Sequence, residues 1–239
     1  MKLEALRTEV CEANRRLVDA GLVTLTWGNV SGIDRQAGLV AIKPSGVDYD
    51  ALTAESIALV DLNGDVVEGD LRPSSDTPTH VALYNAFPNV GGVTHTHSPK
   101  GTAFAQARRA IPCLGTTHAD HFATAVPVTR PLTPAEVDAA YEANTGVVIV
   151  ERFHDDESLD PDATPGVLVA GHAPFAWGVN ADKSVDNAIA LEACAAMALD
   201  TFALSGHADS APLLEPHVLS KHHQRKHGPD AYYGQDSPA

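Results

Sequence analysis

Four short β-type segments follow one another between residues 22 and 68, and they constrain the fold more than any other feature of the sequence. The segments cover residues 22–26, 38–42, 57–62 and 65–68, and Gly, Asn, Asp and Pro residues separate them. The Asn63-Gly64 pair between the last two predicts a hairpin with a type I′ turn. Because short connections join neighbouring antiparallel strands, we expect a largely antiparallel sheet.

Helical periodicity places six helices around these segments. Apolar residues recur every three to four positions from Leu3 to Leu17, and Gly21 stands where a C-terminal cap would. Five further helices are predicted at residues 78–87, 99–109, 133–144, 182–204 and 221–228. The pattern Thr133-x-x-Glu136 is a capping box that opens the fourth helix. Asp182 is expected to cap the fifth, whose predicted buried stripe is Val185, Ile189, Ala196, Leu199 and Ala203.

Three apolar runs predict strands in the second half of the chain. They cover residues 90–97, 147–150 and 167–170, and the acidic stretch 151–162 is expected to form a solvated loop or hairpin tip. No internal repeat, low-complexity linker or composition break divides the chain. We therefore predict one α/β domain over residues 1–239, with a mostly antiparallel central β-sheet flanked by helices.

Charge and cysteine content exclude several functional classes. Sixteen Lys and Arg against 31 Asp and Glu give a formal net charge of −15, so a nucleic-acid or anionic-membrane partner is not expected. The charged N-terminus has no signal-peptide pattern, and no run of about 18 apolar residues predicts a membrane span. Three widely spaced cysteines, Cys11, Cys113 and Cys194, indicate reduced thiols and a cytoplasmic protein.

Histidines that follow predicted strands indicate a metal site. His95 and His97 end the strand at 90–97, and a period of two places both imidazoles on one face of the sheet. One H-x-H pair can equally be a core histidine beside an exposed one, so a third ligand is needed. His172, after the strand at 167–170, can supply it. Three histidine ligands that leave one coordination position of the metal open are typical of a catalytic Zn²⁺ site. The Asp76 carboxylate could be a further ligand.

Three turns rich in glycine and hydroxyl groups indicate a place for phosphate. They are Gly28-Asn29-Val30-Ser31-Gly32, Lys43-Pro44-Ser45-Gly46 and Ser74-Ser75-Asp76. Each one alone is an ordinary turn, and the interpretation depends on their occurring together beside a metal site. Asp120, between His118 and His121, is a candidate general acid or base, although an aspartate in such a loop is more often a turn or capping residue.

Taken together, seven ordered motifs resemble the class II aldolase/epimerase family, in its epimerase branch, over essentially the whole chain. They are Thr26-Trp-Gly-Asn-Val-Ser-Gly32, Ile42-Lys-Pro-Ser-Gly46, Arg72-Pro-Ser-Ser-Asp-Thr-Pro-Thr-His80, Thr94-His-Thr-His-Ser98, Thr116-Thr-His-Ala-Asp-His-Phe122, Gly171-His-Ala-Pro-Phe175 and the tail from Lys221 to Gln235.

The resemblance implies a role for each matching residue. It implies that His95, His97 and His172 bind Zn²⁺, or another divalent cation such as Mn²⁺ or Co²⁺, with Asp76 as a carboxylate at the metal. Asp120 and Tyr233 would be the acid/base pair on opposite faces of the substrate. The implied contacts to a sugar phosphate are Gly28, Asn29, Lys43, Ser45, Gly46, Ser74 and Ser75.

The implied reaction inverts C4 of L-ribulose 5-phosphate to give D-xylulose 5-phosphate. The hydrogen at C4 is not α to the C2 carbonyl, so inversion needs cleavage of the C3–C4 bond, rotation of the aldehyde fragment and re-addition. A Lewis-acid metal stabilises the enediolate, and Tyr233, with a phenol pKa near 10, serves mainly as a proton donor. The resemblance also implies a homotetramer with sites at subunit interfaces.

Other functions remain open at this point. A class II aldolase acting on fuculose or rhamnulose phosphate would cleave without re-adding, but the aldolases resemble one another in a Glu at the Asp76 position, and Asp120 also favours the epimerase. A non-catalytic scaffold on the same fold would have lost site residues that are present here. A zinc hydrolase could use Asp76 as its base but would leave the phosphate turns unexplained.

Overall fold

A seven-stranded sheet forms the centre of the molecule in a computed structural model, which describes residues 1–232. Its strands are β1 (Asn29–Asp34), β2 (Leu39–Ile42), β3 (Ala58–Asp61), β4 (Val66–Glu68), β5 (Gly92–His95), β6 (Gly166–Leu168) and β7 (Pro174–Gly178). Their order is β4-β3-β2-β1-β5-β7-β6, and every neighbouring pair is antiparallel. The α/β class with a mostly antiparallel sheet is therefore confirmed.

Helices cover both faces of this sheet. They are α1 (Glu4–Asp19), α2 (Thr77–Ala86), α3 (Pro99–Ala107), α4 (Thr116–Ala119), α5 (Pro134–His154), α6 (Ala181–Leu204) and α7 (Pro216–His227). Neighbouring strand residues point to opposite faces, as Ala41 packs in the core layer with α1 and α6, and Val40 in the layer with α2 and α5. Both layers are apolar, which explains the continuous hydrophobic run of β2.

The predicted strand at residues 22–26 is wrong, and the predicted turn beside it is a strand. Only Leu22 of that segment is fully buried, and Leu25 is 74% exposed with φ +54°. The segment predicted as a Gly-rich turn begins the central strand β1. Gly32 is needed there because a Cβ would lie 2.9 Å from Leu6 Cδ1, so α1 can pack closely on the strand.

The hairpin between β3 and β4 is confirmed, but its turn is not type I′. Gly64 has φ +89°, whereas Asn63 is not among the non-glycine residues with positive φ. The Asp61 carboxylate instead accepts hydrogen bonds from the backbone amides of Asn63 and Asp65, at 2.8 and 3.0 Å. A three-residue loop with one left-handed glycine therefore connects the strands.

Helix α5 begins as predicted and continues ten residues beyond its predicted end. Thr133 and Glu136 form the capping box, and the helix bends at Ala140. The expected strand at 147–150 is wrong because this segment belongs to α5. Gly146 does not end the helix but lies against α2, where a Cβ would be 2.6 Å from Ala82 Cβ. Of the acidic stretch, residues 151–154 are helical and only the remainder is irregular.

Helix α6 is the longest helix of the described residues, as predicted, but two details differ. Asn180 caps it, rather than Asp182, because its side chain accepts from the amide of Lys183. Val185 is buried, whereas Ile189 and Ala203 are exposed. By length and hydropathy α6 is the one helix in residues 1–232 that could cross a membrane. It packs along β5 and β7, as a core helix does.

Of the remaining elements, α4 and one strand were not predicted. Helices α1, α2 and α3 lie where the periodicity predicts them, and α7 begins at Pro216, five residues before its predicted start, with Gly228 as its C-cap. Strand β7 was not predicted, although its residues belong to a quoted motif. Cys11, Cys113 and Cys194 are buried free thiols.

Candidate active site

Three imidazoles converge where two neighbouring strands end. His95 is the last residue of β5, His97 follows it, and His172 lies in the turn between β6 and β7. Because β7 pairs with β5, with Phe175 opposite His95, this turn lies beside the end of β5. The Nε2 atom of His97 is 3.2 Å from that of His95 and 3.3 Å from that of His172. The donor atoms of the three side chains all lie within 4.8 Å of one another.

The other ring nitrogens of two of these histidines have partners that orient them. His95 Nδ1 donates to the carbonyl oxygen of Pro174 at 3.0 Å, and its ring stacks on Phe175 at 4.1 Å between centroids. His172 Nδ1 is 3.0 Å from the hydroxyl oxygen of Tyr141. An Nδ1–H that donates to such a partner leaves an Nε2 lone pair free for a metal.

Burial also favours the metal-binding protonation state of this triad. It lowers the pKa of the His95 and His97 imidazoles, and together with the neighbouring imidazoles it lowers that of His172 to about 4. All three rings are therefore neutral near pH 7, which is the form that binds metals. The donor set fits a divalent metal of the zinc class, with three imidazole nitrogens and open space on the cavity side.

The Asp76 carboxylate lies at the edge of the same cavity, just before α2. Its Oδ2 accepts a hydrogen bond from Asn29 Nδ2 at 2.6 Å. Burial acts to raise its pKa, but the imidazoles of His95 and His80 and the Asn29 bond outweigh this effect, and the pKa lies below its usual value. Asp76 does not belong to the three-histidine cluster, so its role as a metal ligand stays a prediction.

A cavity of about 490 Å³ brings these groups together with the predicted phosphate turns. Its lining residues are Thr26, Trp27, Gly28, Asn29, Lys43, Pro44, Ser45, Gly46, Ser74, Ser75, Asp76, His95, His97 and His172. All seven residues predicted to contact substrate and all four predicted at the metal are among them. The volume lies within the ordinary range for small-molecule sites.

Lys43 and Ser74 line one wall of the cavity and belong to two loops that backbone hydrogen bonds hold together. Ser74 N donates to Lys43 O, and Ser45 N donates to Arg72 O, at 3.0 and 2.9 Å. The Lys43 ammonium is buried; it donates to Val47 O at 2.7 Å, and burial lowers its pKa. Lys43 therefore braces its own loop as well as lining the cavity.

Ser74 has a hydroxyl proton to offer. Its Oγ accepts from Asn29 Nδ2 at 3.1 Å and from the amide of Asp76 at 3.2 Å. Two accepted bonds leave the hydroxyl hydrogen for an acceptor in the cavity. The Asn29 Nδ2 group is bonded to Ser74 and Asp76, and its Oδ1 is enclosed by protein with no partner in the described part of the chain. Ser74 is thus suited to a phosphate oxygen.

Comparison with known proteins places the chain in a family. The family described as Class II Aldolase and Adducin N-terminal domain matches residues 8–199. The chain belongs to this family. Over 236 residues it is 50% identical to L-ribulose-5-phosphate 4-epimerase UlaF of Salmonella paratyphi C (strain RKS4594), a match that covers 98% of this chain and 100% of that protein. The resemblance of its motifs to the class II aldolase/epimerase family is therefore confirmed.

Solved structures of class II aldolases share the fold. An L-fuculose 1-phosphate aldolase aligns with a TM-score of 0.74 at 24% identity, covering 92% of this chain and 95% of that one. An aldolase II superfamily protein from Pseudomonas syringae aligns with a TM-score of 0.73 at 15% identity, covering 95% and 88%. These likenesses support the antiparallel sheet and its helical layers.

Asp120 lies apart from the cavity of this class II aldolase domain. It ends α4, and its carboxylate oxygens contact three side chains of α7, at 3.0 Å from His222 Nδ1, 2.7 Å from Arg225 Nη2 and 3.7 Å from Lys226 Nζ. Burial acts to raise the pKa of Asp120, but the Arg225 and His222 bonds outweigh it and hold the pKa below its usual value. Tyr233 lies outside the described residues.

Two histidines of the aldolase motifs have structural positions rather than places in the cavity. His80 is fully buried, with Nδ1 2.7 Å from Ser31 Oγ, and burial lowers its pKa to about 3. His118 Nε2 donates to the carbonyl oxygen of Thr124 at 2.8 Å. Neither histidine lines the cavity.

Four residues of the site were not assigned a role from the sequence. Thr26, Trp27 and Pro44 line the cavity, and their only signal is membership of the Thr26–Gly32 and Ile42–Gly46 motifs. Trp27 is 53% exposed and lies 6.2 Å from the His97 ring. Tyr141, which contacts His172, lies in a helix whose sequence carries no site motif. The contact of Tyr141 with His172 becomes visible only in the folded structure, where α5 packs beside the cavity.

Proposed function

We propose that this protein is a divalent-metal-dependent epimerase that interconverts L-ribulose 5-phosphate and D-xylulose 5-phosphate at C4. The observation that carries the proposal is the shared cavity, in which three neutral imidazoles and the two hydrogen-bonding loops line one space of about 490 Å³. A metal and a phosphate can thus bind opposite ends of one small substrate. The 50% identity to a protein named as this epimerase supports the choice of substrate.

The chemistry of the substrate explains why both ends must be held. Inversion at C4 breaks the C3–C4 bond, and the aldehyde fragment must turn over before the bond re-forms. A divalent metal held by His95, His97 and His172 would act as a Lewis acid toward the ketose oxygens. Meanwhile the phosphate must stay fixed, because an escaping aldehyde would turn the reaction into an aldol cleavage.

Residues of the two loops can provide this anchor. The Ser74 hydroxyl proton and the Lys43 ammonium, which has a hydrogen beyond those used by its own loop, are donors suited to phosphate oxygens. Gly28, Ser45, Gly46 and Ser75 complete the lining on that side. Asn29 also lines the cavity, and its Nδ2 group bonds the Ser74 hydroxyl and the Asp76 carboxylate. Local donors of this kind can bind an anion although the chain carries a net charge of −15.

We assign proton transfer to Asp120 and Tyr233. The lowered pKa keeps Asp120 ionised near neutral pH, so it would accept a proton, and its cationic neighbours on α7 weaken it as a base. Tyr233 would be the donor. Because Asp120 does not line the cavity of its own chain, the pair would act on the site of a second subunit, which agrees with a homotetramer with sites at its interfaces. Cytoplasmic location likewise stays a prediction.

The test is incubation of the protein loaded with Zn²⁺, Mn²⁺ or Co²⁺ with L-ribulose 5-phosphate. We expect D-xylulose 5-phosphate to form. His97→Ala should lose most activity, whereas His154→Ala, at an exposed histidine of α5, should retain it. Asp120→Asn with unchanged metal content should also lose activity. Absence of conversion, with cleavage products released from other ketose phosphates instead, would identify an aldolase and overturn the proposal.

A further inference from the structure

Among the described residues, Tyr141 is the one whose side chain forms a hydrogen bond with the Nδ1 atom of a cavity histidine, that is, with the ring nitrogen that does not face the other imidazoles. Its hydroxyl oxygen is 3.0 Å from His172 Nδ1, and the two rings stack at 6.0 Å between centroids with an interplanar angle of 23°. Tyr141 follows the bend of α5 at Ala140 and is 38% exposed. The Tyr141 phenol therefore lies against the three histidines of the cavity through its contact with His172.

The three imidazoles differ in how their orientation is fixed. His95 is fully enclosed; its Nδ1 bonds a backbone carbonyl that no substitution of one side chain removes. His172 is only partly buried and lies in a turn, and its Nδ1 contacts a side chain from another element, Tyr141 of α5. Neutral imidazole has two tautomers, and the proton must lie on Nδ1 for Nε2 to bind a metal.

We propose that Tyr141 is a positioning residue that accepts the Nδ1 proton of His172 in a hydrogen bond and so presents its Nε2 to the metal. The inference rests on the metal site of the proposed function. It assigns Tyr141 no contact with substrate. Removal of an outer partner of this kind weakens metal binding by roughly 10- to 100-fold.

Tyr141→Phe separates the hydrogen bond from the packing, because the ring and its stacking on His172 remain. We measure the dissociation constant of Zn²⁺ by competition with a chelator, and expect it to rise by about 10- to 100-fold. The ¹⁵N shifts of His172 in the metal-free protein should change from an Nδ1-protonated ring to a mixture of tautomers. The absorption spectrum of the Co²⁺-loaded protein should change as well.

Tyr84→Phe is the matched control. It also removes one phenol oxygen, which lies 2.8 Å from Ser31 Oγ, but touches none of the three histidines. We expect its Zn²⁺ dissociation constant to stay within about twofold of the original. Equal weakening in both variants would show a general loss of stability and overturn the inference, as would an unchanged constant in Tyr141→Phe. Absence of metal binding by the unaltered protein would instead count against the proposed function.

Discussion

The Asp120 carboxylate forms ion pairs with α7. It is 13% exposed and contacts His222, Arg225 and Lys226, while its own backbone oxygen accepts from His227. Asp120 therefore contacts four groups of one helix.

Asp120→Asn should destabilise the protein by about 1 kcal/mol near pH 7, since partly exposed ion pairs contribute little more. The pKa of Asp120 is lower in the folded protein than its value of about 3.9 in an unfolded chain. The Asp120 charge therefore contributes to the free energy of unfolding above about pH 4, and this contribution is lost as the pH falls through the pKa of Asp120 in the folded protein. Urea unfolding should show that the difference in free energy of unfolding between Asp120→Asn and the unaltered protein becomes smaller from pH 7 to pH 3.

Asp138→Asn, at an exposed position of α5, controls for the loss of one negative charge. It should change the free energy of unfolding by a few tenths of a kcal/mol at most. A difference for Asp120→Asn that stayed constant down to pH 3 would contradict the role of its charge. Hydrogen exchange in α7 should accelerate in Asp120→Asn and not in the control.

At the scale of single residues, the sequence predicts which side chains can bind the metal better than it predicts which residues hydrogen-bond to them. His95, His97 and His172 could be identified because strand alternation and the ends of apolar runs are local patterns. Asp76 could be placed at the cavity, but its bond to Asn29 depends on how α2 meets β1, which no local pattern encodes. The contact of Tyr141 with His172 is equally non-local, joining α5 to a turn 31 residues away.

Among the elements, the pairing of α2 with α5 depends on a close approach at Gly146. In Gly146→Ala the new methyl group would lie 2.6 Å from Ala82 Cβ, an overpacking that costs about 1–3 kcal/mol. The gain of about 1 kcal/mol in helix propensity offsets part of this cost, so we expect a net destabilisation of up to about 2 kcal/mol. Thermal and urea unfolding measure it.

Ala82→Gly provides the compensating change for that variant. In the double variant the steric conflict disappears, so the combined loss should be smaller than the sum of the two single losses. Additive losses would show that the two positions do not press on one another, and the interpretation of Gly146 as a packing residue would be wrong.

The same glycine explains the largest error in the prediction of the elements. Asn-Thr-Gly at 144–146 is typical of a helix end, and Val147 to Val150 is typical of a strand, so both local signals were consistent. Gly32 was misjudged in the same way, because it was expected in a turn and lies inside β1 against α1. A glycine that permits close packing and a glycine that ends an element look alike until the opposing surface, here α1 or α2, is known.

For the molecule as a whole, metal binding should couple to folding. If the unfolded chain binds the metal weakly, free Zn²⁺ at 100 times its dissociation constant stabilises the fold by about 2.7 kcal/mol. For a chain of this length that corresponds to a rise in Tm of roughly 5–10 °C. Scanning calorimetry with and without a chelator measures the shift.

His97→Ala should abolish this shift while leaving the Tm of the metal-free protein nearly unchanged, because the His97 side chain, although its ring is partly shielded from water, remains exposed at the cavity and packs in no core layer. His154→Ala should keep the full shift. A Tm that does not respond to the chelator in the unaltered protein would show that no metal binds to the folded state at the tested concentration.

The sheet order has a consequence for the protein during its synthesis. Two of the cavity imidazoles precede the third by at least 75 residues, since His172 follows His97 at that separation. At typical rates of synthesis, the ribosome needs roughly 4–15 s to make the intervening segment. A nascent chain therefore carries an H-x-H pair for several seconds before it can complete the triad. Tight metal loading should accordingly follow translation of the C-terminal third and mark chains whose sheet is finished.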